Sequence, residues 1–502
     1  MNNPDRTFHD LKTEKYDALV QDYLEVIENG LPKSAGTRDI VIIGAGVSGL
    51  VAGTLLREAG HNVKIIEASQ RVGGRVKTFR EEFSGDLYAE AGAMRLPSHH
   101  ALLMRYLEKQ KIETRPFFIA DIDPATEKNE VATPRNNSFM HLNGVQIRKK
   151  DYSGGEFGYP LPKAEEGQTS SSLLHEAVRP LMELLEADPE NGWDIIRNKF
   201  DEYSVRRFLK EQTLYSEAAI EMIGVIENLE SRMMTSFIQS FIEMFNINPS
   251  VKYSEVVGGT DLFTESFRPN LEDCITFGAW VKGIEWSPTG SGVKVHIRDM
   301  PTVTGDVLLV TIPFTSLRFV DINPLLSHEK RKAIRQLHYD ASSKVLLEFD
   351  YRFWEHDDGI YGGGSVTDLP NRFMYYPHDG MGGDGGGVVL ASYTWAEDAL
   401  RWDSLAPELR YEFALDGMAK IHGEGIRKSY VGGAYQSWMD DPFALGEAAI
   451  FAPGQMNQLQ SAIEKQEGNI HFAGEHCSLR HAWIEGAIDS AIRSALKINN
   501  EM

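Results

Sequence analysis

The sequence predicts an α/β protein in which a Rossmann-like nucleotide-binding domain, discontinuous along the chain, is joined by a mixed α+β domain and an inserted helical subdomain. Three observations carry this prediction. Residues 38–67 read strand, glycine-rich turn, helix, strand. Residues 172–246 contain few glycines and place apolar side chains at helical spacing, and strand-like segments return between residues 274 and 320.

The bulk composition limits the classes of function. With 502 residues the chain is long enough for two or three domains, and 42% hydrophobic with 25% charged residues is ordinary for a globular protein. The net charge of −22 opposes a nucleic-acid partner and docking on anionic lipid, because phosphates would be repelled over most of the surface. No apolar run reaches the roughly 18 residues that cross a bilayer, and the first residues lack a signal-peptide pattern. We therefore expect a cytoplasmic protein without a membrane partner, or a mature form whose signal was removed.

Other segments have plainer interpretations. The only two cysteines, Cys274 and Cys477, suggest no disulfide framework, and we expect both to be buried thiols. An amphipathic helix is predicted over residues 7–29, with Gly30 as its C-terminal cap. The remaining predicted elements are strands at 274–277, 293–297, 307–312, 344–349 and 388–394 and a last helix at 484–498.

A dinucleotide-binding motif follows the first predicted strand. Residues 39–43 are typical of a buried strand and lead directly into a GxGxxG sequence at 44–49. Gly44 permits the tight turn, Gly46 lets the backbone approach a pyrophosphate, and Gly49 allows close helix–strand packing. The helix that follows, predicted from residue 51 to residue 59, directs its free N–H groups and positive dipole end at the phosphates.

An acidic residue ends the second strand of this unit. Glu67 lies where a carboxylate binds ribose hydroxyls and would repel the extra phosphate of NADP. Because NAD and FAD share this fingerprint, the next segment decides between them. Residues 68–76 contain paired glycines at 73–74 flanked by Arg71 and Arg75, which are able to surround a second face of a pyrophosphate. With this extension the sequence resembles the FAD-dependent amine oxidase superfamily; NAD dehydrogenases generally lack it.

Three later blocks extend the resemblance to the end of the chain. Residues 306–313 are similar to the family strand that returns to the flavin domain, and residues 438–446 resemble another family block. Residues 472–476 followed by 483–487 resemble the closing FAD motif. The resemblance implies that Glu475 binds the ribityl or phosphate region and that the last helix points its N-terminus at the flavin pyrimidine. A positive dipole end there would stabilise reduced flavin.

The block at residues 90–95, Glu-Ala-Gly-Ala-Met-Arg, narrows the resemblance. It is similar to the block in L-amino acid oxidases, including the snake-venom enzymes, and in amino acid 2-monooxygenases. The resemblance implies that the backbone around Met94 touches the flavin and that Arg95 pairs with the substrate α-carboxylate. A carboxylate in a dry pocket needs a cation, and a guanidinium binds it with two charge-assisted hydrogen bonds. Monoamine and polyamine oxidases lack this block, so the expected substrate is an amino acid.

Two further catalytic candidates come from the same resemblance. The segment at 388–395 matches the strand on which a tyrosine hydroxyl binds the substrate carboxylate, and Tyr393 fits best. The pair at 375–376 is a competing source of that tyrosine. Lys344 matches the family lysine that holds a water beside flavin N5, although a plain strand-edge lysine is an alternative.

The resemblance also implies non-covalent FAD and no metal. Monoamine oxidases attach flavin to a cysteine upstream of the closing motif, and here no cysteine lies between Cys274 and Cys477. The substrate site implied by the resemblance consists of Arg95, Tyr393, Ala482 and Trp483, with Trp483 walling the substrate side of the flavin. The residues implied to bind FAD are Gly44, Gly46, Val47, Ser48, Gly49, Glu67, Ala68, Arg71, Gly74, Arg75, Ala93, Met94, Arg95, Val281, Gly474, Glu475, Trp483, Ile484 and Ala487.

One segment departs from the venom enzymes, which place a histidine before the Val-Gly-Gly block that here spans residues 257–259. Residues 236–254 contain no histidine. Either no side-chain base is needed, which suits direct hydride transfer from Cα to flavin N5, or the base comes from elsewhere. Because this segment lines the access route of the venom enzymes, their substrate range does not transfer to this chain.

The predicted function is oxidation of an L-amino acid by O2 and water to a 2-oxo acid, ammonia and H2O2. The alternatives are an amino acid 2-monooxygenase, which yields a carboxamide and CO2, an oxidase of amines without a carboxylate, and a non-catalytic flavin-binding protein. Side-chain preference and a homo-oligomer stay open. We expect a flavin domain at 38–77, 253–338 and 440–502, a substrate domain at 7–30, 78–150 and 339–439, and a helical insertion at 151–252.

Overall fold

The computed structural model describes residues 14–126, 132–247, 251–290 and 292–501. Its α-helices are, in chain order, α1 (Glu14–Asn29), α2 (Val47–Ala59), α3 (Ala101–Lys109), α4 (Ser170–Ala187), α5 (Gly192–Phe200), α6 (Val205–Gln212), α7 (Glu217–Ile226), α8 (Phe237–Asn246), α9 (Asp261–Glu265), α10 (Phe314–Leu317), α11 (His328–Gln336), α12 (Phe353–His356), α13 (Ala396–Asp403), α14 (Pro407–His422), α15 (Gln455–Glu464) and α16 (Ile484–Asn500).

The strands are β1 (Asp39–Ile43), β2 (Asn62–Ile66), β3 (Thr78–Phe79), β4 (Ala89–Glu90), β5 (Leu96–Pro97), β6 (Thr114–Phe117), β7 (Phe139–Leu142), β8 (Val145–Arg148), β9 (Tyr253–Val256), β10 (Ile275–Thr276), β11 (Val281–Trp286), β12 (Val293–Ile297), β13 (Val303–Gly305), β14 (Val307–Val310), β15 (Asp321–Asn323), β16 (Tyr339–Asp340), β17 (Ser342–Phe349), β18 (Gly364–Thr367), β19 (Phe373–Tyr375), β20 (Gly387–Trp395), β21 (Tyr430–Ser437), β22 (Ala448–Ala449) and β23 (Ile470–Phe472).

A five-stranded parallel sheet, in the order β10-β2-β1-β14-β23, carries the glycine-rich turn. Its central strand β1 is apolar because both faces of the sheet are covered. Ile40 and Ile42 join the apolar core formed with α2 and α16, whereas Val41 and Ile43 join a second core on the other face. The turn after Ile43 therefore lies at the carboxyl edge of a parallel sheet, where such folds bind ligands. The predicted α/β fold class is confirmed.

The strands of this sheet come from well-separated stretches of the chain, at residues 39–66, 275–310 and 470–472. A discontinuous nucleotide-binding domain requires such an arrangement. The domain boundaries given above stay a prediction.

A seven-stranded sheet carries the candidate catalytic strands, in the order β21-β17-β20-β19-β18-β7-β8. The neighbours β17 and β20 are antiparallel, and their register places Lys344 opposite Tyr393. The next strand, β19, places Phe373 opposite Tyr393 and ends at Tyr375. These pairings put the lysine and both candidate tyrosines on adjacent strands.

The predicted helical segment is observed as helices α4 to α8, which begin at Ser170 and end at Asn246. Hydroxyl residues begin most of them, since their side chains accept the first free N–H groups of a helix. Ser216, for example, accepts from the N–H of Ala219 before α7, and Ser236 accepts from that of Gln239 before α8. Among the described residues, no helix has the length and apolar character needed to cross a membrane.

Several boundaries differ from the predicted ones. Helix α2 begins at Val47 instead of residue 51, because the second half of the glycine motif is already helical. The strand predicted at 274–277 is shortened to β10, since a 3₁₀ turn occupies residues 272–274. The predicted first helix is observed from Glu14, and residues 7–13 lie outside the described residues.

The cysteine prediction was half right. Cys477 is fully buried, but Cys274 is half-buried, and its Sγ accepts a hydrogen bond of 2.9 Å from Arg57 Nη1. Both thiols are free.

Candidate active site

A continuous cavity of about 1180 Å³ runs from the glycine turn after β1 to helix α8. This volume exceeds the roughly 300–1,000 Å³ of ordinary small-molecule pockets, so a dinucleotide and a second small molecule fit together. Of the residues that the sequence singled out for cofactor or substrate, all but Gly49 and Tyr376 line this cavity. The folding of the chain therefore brings together motifs from its beginning, its middle and its end.

The glycine turn has the geometry that a phosphate cradle needs. Gly44 has a φ of +105°, which favours glycine. A Cβ on Gly49 would lie 2.0 Å from the carbonyl oxygen of Gly44, so Gly49 serves the close packing of turn and helix and not the cavity wall. A Cβ on Gly46 would meet no protein atom nearer than the Gly73 oxygen at 4.0 Å. The space beside Gly46, at the N-terminus of α2, is thus open for a ligand.

The loop at 68–76 is fastened to the glycine turn. Glu67 accepts hydrogen bonds from the N–H groups of Ala45 (2.7 Å) and Ser69 (2.8 Å). The N–H of Gly73 donates to the Ala45 oxygen at 2.9 Å. The guanidinium of Arg71 donates to main-chain oxygens of the same loop, among them that of Val76 at 3.0 Å. Arg71 thereby holds the loop in shape at the cavity wall.

An ion pair joins this loop to the closing motif. Arg75 Nη1 lies 2.8 Å from Glu475 Oε1, and Glu475 also accepts from the N–H of Ala449 (3.2 Å) and Ala482 (3.1 Å). Although burial opposes it, the cation of Arg75 holds the pKa of Glu475 below its ordinary value. Both ends of the chain therefore build one wall of the cavity.

The block at 90–95 is packed against the same loop. A Cβ on Gly92 would lie 2.0 Å from the carbonyl oxygen of Arg75, so only glycine fits at this point. The ammonium of Lys344 donates to the main-chain oxygens of Glu90 (3.0 Å) and Gly92 (2.7 Å) and lies 3.6 Å from the sulfur of Met94. Lys344 thus holds the backbone that presents Arg95.

Lys344 is itself in a dry environment. Only 2% of its surface is exposed, and burial lowers its pKa below the ordinary lysine value, against the opposing field of Glu90. Burial likewise raises the pKa of Glu90 above its usual range. A lysine with a lowered pKa that lines a cavity is a candidate for a functional role.

Arg95 presents an uncompensated cation to the cavity. Its Nη1 donates to the hydroxyl of Tyr375 at 3.3 Å. Within the part of the chain that the structure describes, Arg95 forms no ion pair with a carboxylate. Of the three tyrosines considered from the sequence, Tyr375 and Tyr393 line the cavity near it, whereas the hydroxyl of Tyr376 contacts His422 elsewhere.

Glu243 was missed by the sequence reasoning. Its carboxylate accepts hydrogen bonds from the indole Nε1 of Trp483 at 3.0 and 3.2 Å. It lies on α8, in the segment searched for a histidine, and a lone glutamate on an amphipathic helix carries no signal of its own. Trp483 lies where the closing motif begins α16 and is packed edge-on against His100 with ring centres 5.1 Å apart.

Together these residues fit a flavin dinucleotide. The open space at Gly46 and the N-terminus of α2 would hold the pyrophosphate, Glu67 the ribose, and the N-terminus of α16 the isoalloxazine end. The arrangement defines a dinucleotide-binding oxidoreductase with a second, cationic pocket beside the cofactor space.

Comparison with known proteins identifies the class. The family model of flavin-containing amine oxidoreductases matches residues 47–499, and the chain belongs to this family. FAD is therefore the cofactor of the protein.

Several relatives span nearly the whole chain. The Bacillus subtilis protein YobN, provisionally named an L-amino-acid oxidase, is 39% identical and covers 95% of this chain and 98% of its own. An L-glutamate oxidase precursor of Streptomyces viridosporus is 36% identical (96% and 89% covered), and an L-amino-acid oxidase of the fish Siganus canaliculatus is also 36% identical (98% and 90% covered).

Solved structures of the same fold are more distant. Putrescine oxidase bound to putrescine superposes with a TM-score of 0.72 at 19% identity, over 92% of this chain and 98% of its own. Cyclohexylamine oxidase from Brevibacterium oxydans IH-35A gives 0.72 at 19% identity, over 92% and 99%. At this identity these structures establish the fold alone.

Proposed function

We propose that this protein is an FAD-dependent L-amino acid oxidase, which converts an L-amino acid, O2 and water into a 2-oxo acid, ammonia and H2O2. The observation that carries the proposal is Arg95, a cation in the cavity wall that has no carboxylate partner in the described part of the chain and lies beside Tyr375. A substrate α-carboxylate supplies the missing charge. The relatives named as amino acid oxidases support the same substrate class.

The chain's residues would position the substrate. Arg95 would grip the α-carboxylate with two charge-assisted hydrogen bonds, and Tyr375 or Tyr393 would add a third from its hydroxyl. When bound, the flavin supplies the hydride acceptor and the electron path to O2. The positive end of α16 would favour the negative charge that the flavin gains on reduction.

We further propose that Lys344 holds a water molecule in the cavity and exchanges a proton during the reaction. Two of its three N–H donors are used on main-chain oxygens, and the third faces the sulfur of Met94 at 3.6 Å, a weak acceptor that a water in the cavity can replace. Its lowered pKa allows it to release or take up a proton near neutral pH. The non-covalent attachment of FAD, a homo-oligomer and a cytoplasmic location stay predictions.

A product analysis tests the proposal. The holoenzyme is incubated with a panel of L-amino acids, and H2O2, ammonia, 2-oxo acid and CO2 are measured in the same samples. We expect H2O2 and 2-oxo acid in equal amounts without CO2. Stoichiometric CO2 with a carboxamide would make the protein a 2-monooxygenase, and turnover of decarboxylated amines alone would remove the role of Arg95.

A further inference from the structure

One face of α8 lines the cavity. Gln239 and Glu243 lie four positions apart and place polar side chains on this face, and Ile247, the residue after the helix, continues the same wall. Glu243 lies in the middle of this face and is held by the indole N–H of Trp483. Its carboxylate is therefore fixed in orientation at the cavity wall.

Two other charged groups of the cavity wall have partners within the protein. Arg232 Nε lies 2.7 Å from Asp340 Oδ2, and its guanidinium stacks on Trp395 at 3.7 Å. Glu227 accepts a hydrogen bond of 2.6 Å from Ser170 and feels the cation of Lys149. Arg232 therefore needs no charge from a ligand.

Glu243 is distinguished by its place in the field of Arg95, the proposed carboxylate site. In the described ranges, its carboxylate forms no ion pair, and the groups that hydrogen-bond to it, the indole of Trp483 and the side chain of Gln239, are neutral. Burial raises the pKa of Glu243 to about 7, although the more distant Arg232 and Arg95 oppose the rise. A desolvated carboxylate is costly without a matched cation. The neutral donors leave acceptor sites of the carboxylate free.

We propose that Glu243 is a cation-binding subsite that holds a positively charged substrate side chain, so that the preferred substrates are L-amino acids with an alkylammonium or guanidinium side chain. The proposal rests on the proposed oxidase function, in which Arg95 holds the α-carboxylate. Arg95 and Glu243 then receive the two charges at opposite ends of one basic amino acid.

The α-ammonium group is a poorer occupant of this subsite. Hydride transfer from Cα is assisted by the lone pair of a neutral amine, so a carboxylate paired to the α-ammonium would stabilise the unreactive form. A side-chain cation stays charged throughout the reaction and can be held without that penalty. The net charge of −22 also attracts cationic substrates toward the protein.

The experiment compares two substrates of similar shape. L-Lysine and L-norleucine share a straight side chain and differ by the terminal ammonium, and kcat/KM is measured for both with the holoenzyme. We expect the wild-type protein to prefer lysine. Glu243→Gln keeps the size of the side chain and the acceptor for Trp483, and should lower kcat/KM for lysine about 10- to 100-fold, the loss of one charge-assisted contact, while norleucine changes less than about threefold.

Two control variants accompany it. Glu243→Asp keeps the charge and should retain a preference for lysine. Glu227→Gln removes another cavity carboxyl, one that accepts a hydrogen bond from Ser170 and lies in the field of Lys149, and should leave the lysine-to-norleucine ratio as in wild type. Flavin absorbance and melting temperature verify that each variant is folded and loaded.

The outcomes separate this proposal from the function on which it rests. A wild-type preference for norleucine, or an equal fall for both substrates in Glu243→Gln, overturns the subsite while leaving amino acid oxidation intact; the equal fall would assign Glu243 to the α-amine. An absence of H2O2 from every amino acid overturns the oxidase function itself, and the subsite with it.

Discussion

The ammonium of Lys344 lies 5.0 Å from the centre of the Tyr393 ring, and the two residues face each other across β17 and β20. The same ammonium donates to the backbone of the block at 90–95. Lys344 therefore connects the seven-stranded sheet to the segment that presents Arg95. A change at this lysine acts on the sheet side and on the loop side of the cavity together.

Lys344→Met should slow flavin reduction, reoxidation or both by a larger factor than it weakens substrate binding. The reason is that methionine fills a similar volume but offers no donor to water and no exchangeable proton. Stopped-flow traces of the two half-reactions measure the effect. If both run at wild-type rates, Lys344 has only the structural role seen in its main-chain contacts.

Arg95→Met should lower kcat/KM for L-amino acids by about two to four orders of magnitude. Losing the cation leaves a desolvated carboxylate unpaired, at a cost of roughly 3–5 kcal/mol in the transition state. Esters or amides of the same amino acid provide the control, because they carry no full charge and should lose far less. Equal losses for acid and amide, with normal flavin content, would show that Arg95 does not bind the carboxylate.

The roles of Tyr375 and Tyr393 can be distinguished by removing each hydroxyl in turn. Because Tyr375 already contacts Arg95, we expect Tyr375→Phe to lower kcat/KM about tenfold, the order of one hydrogen bond to a charged group. Tyr393, which the sequence favoured, is tested by the parallel Tyr393→Phe variant with the same amino acid. A larger loss of kcat/KM in Tyr393→Phe would assign the contact with the substrate carboxylate to Tyr393.

Gly46→Leu should fold but purify without colour. The position next to Gly46 is free of protein atoms, so the side chain would occupy the space of the pyrophosphate and not strain the fold. Gly49→Ala is the contrasting variant, since its Cβ would collide with the Gly44 oxygen at 2.0 Å and should destabilise the protein itself. Flavin absorbance and circular dichroism together distinguish the two effects, and a yellow Gly46→Leu protein would contradict the cradle.

Acid precipitation should release all of the flavin into the supernatant. The two thiols lie at Cys274, which contacts Arg57, and at Cys477, whose Sγ is buried against the Ile463 oxygen, and neither lines the cavity. The absorbance of pellet and supernatant at the flavin maximum measures the partition. Flavin retained in a washed pellet would mean a covalent link.

The sequence predicted the fold through signals that are local. A strand, a glycine turn and a helix follow one another within residues 39–59, and their physical roles are set by backbone geometry. Val281 and Gly474, far apart in the chain, were placed by resemblance and do line the cavity.

What escaped the sequence depends on tertiary placement. Glu243 becomes notable only because α8 turns it toward Trp483. The sequence favoured Tyr393 over Tyr375, yet the hydroxyl that contacts Arg95 is that of Tyr375, because the register of the two strands decides which hydroxyl meets the guanidinium. Arg71 was predicted to face a phosphate, yet its guanidinium donates to main-chain oxygens of its own loop. The position of an arginine in the sequence does not reveal that these oxygens compete with a phosphate for its N–H groups.

The ion pair between Arg75 and Glu475 joins residues that are 400 positions apart. During synthesis, the N-terminal half of the cradle leaves the ribosome long before its partner exists. The cofactor site is complete only when the closing motif has packed beside β14. Flavin binding therefore follows the synthesis and folding of the C-terminal segment. A nascent or C-terminally truncated chain would contain the glycine turn but would not retain the cofactor.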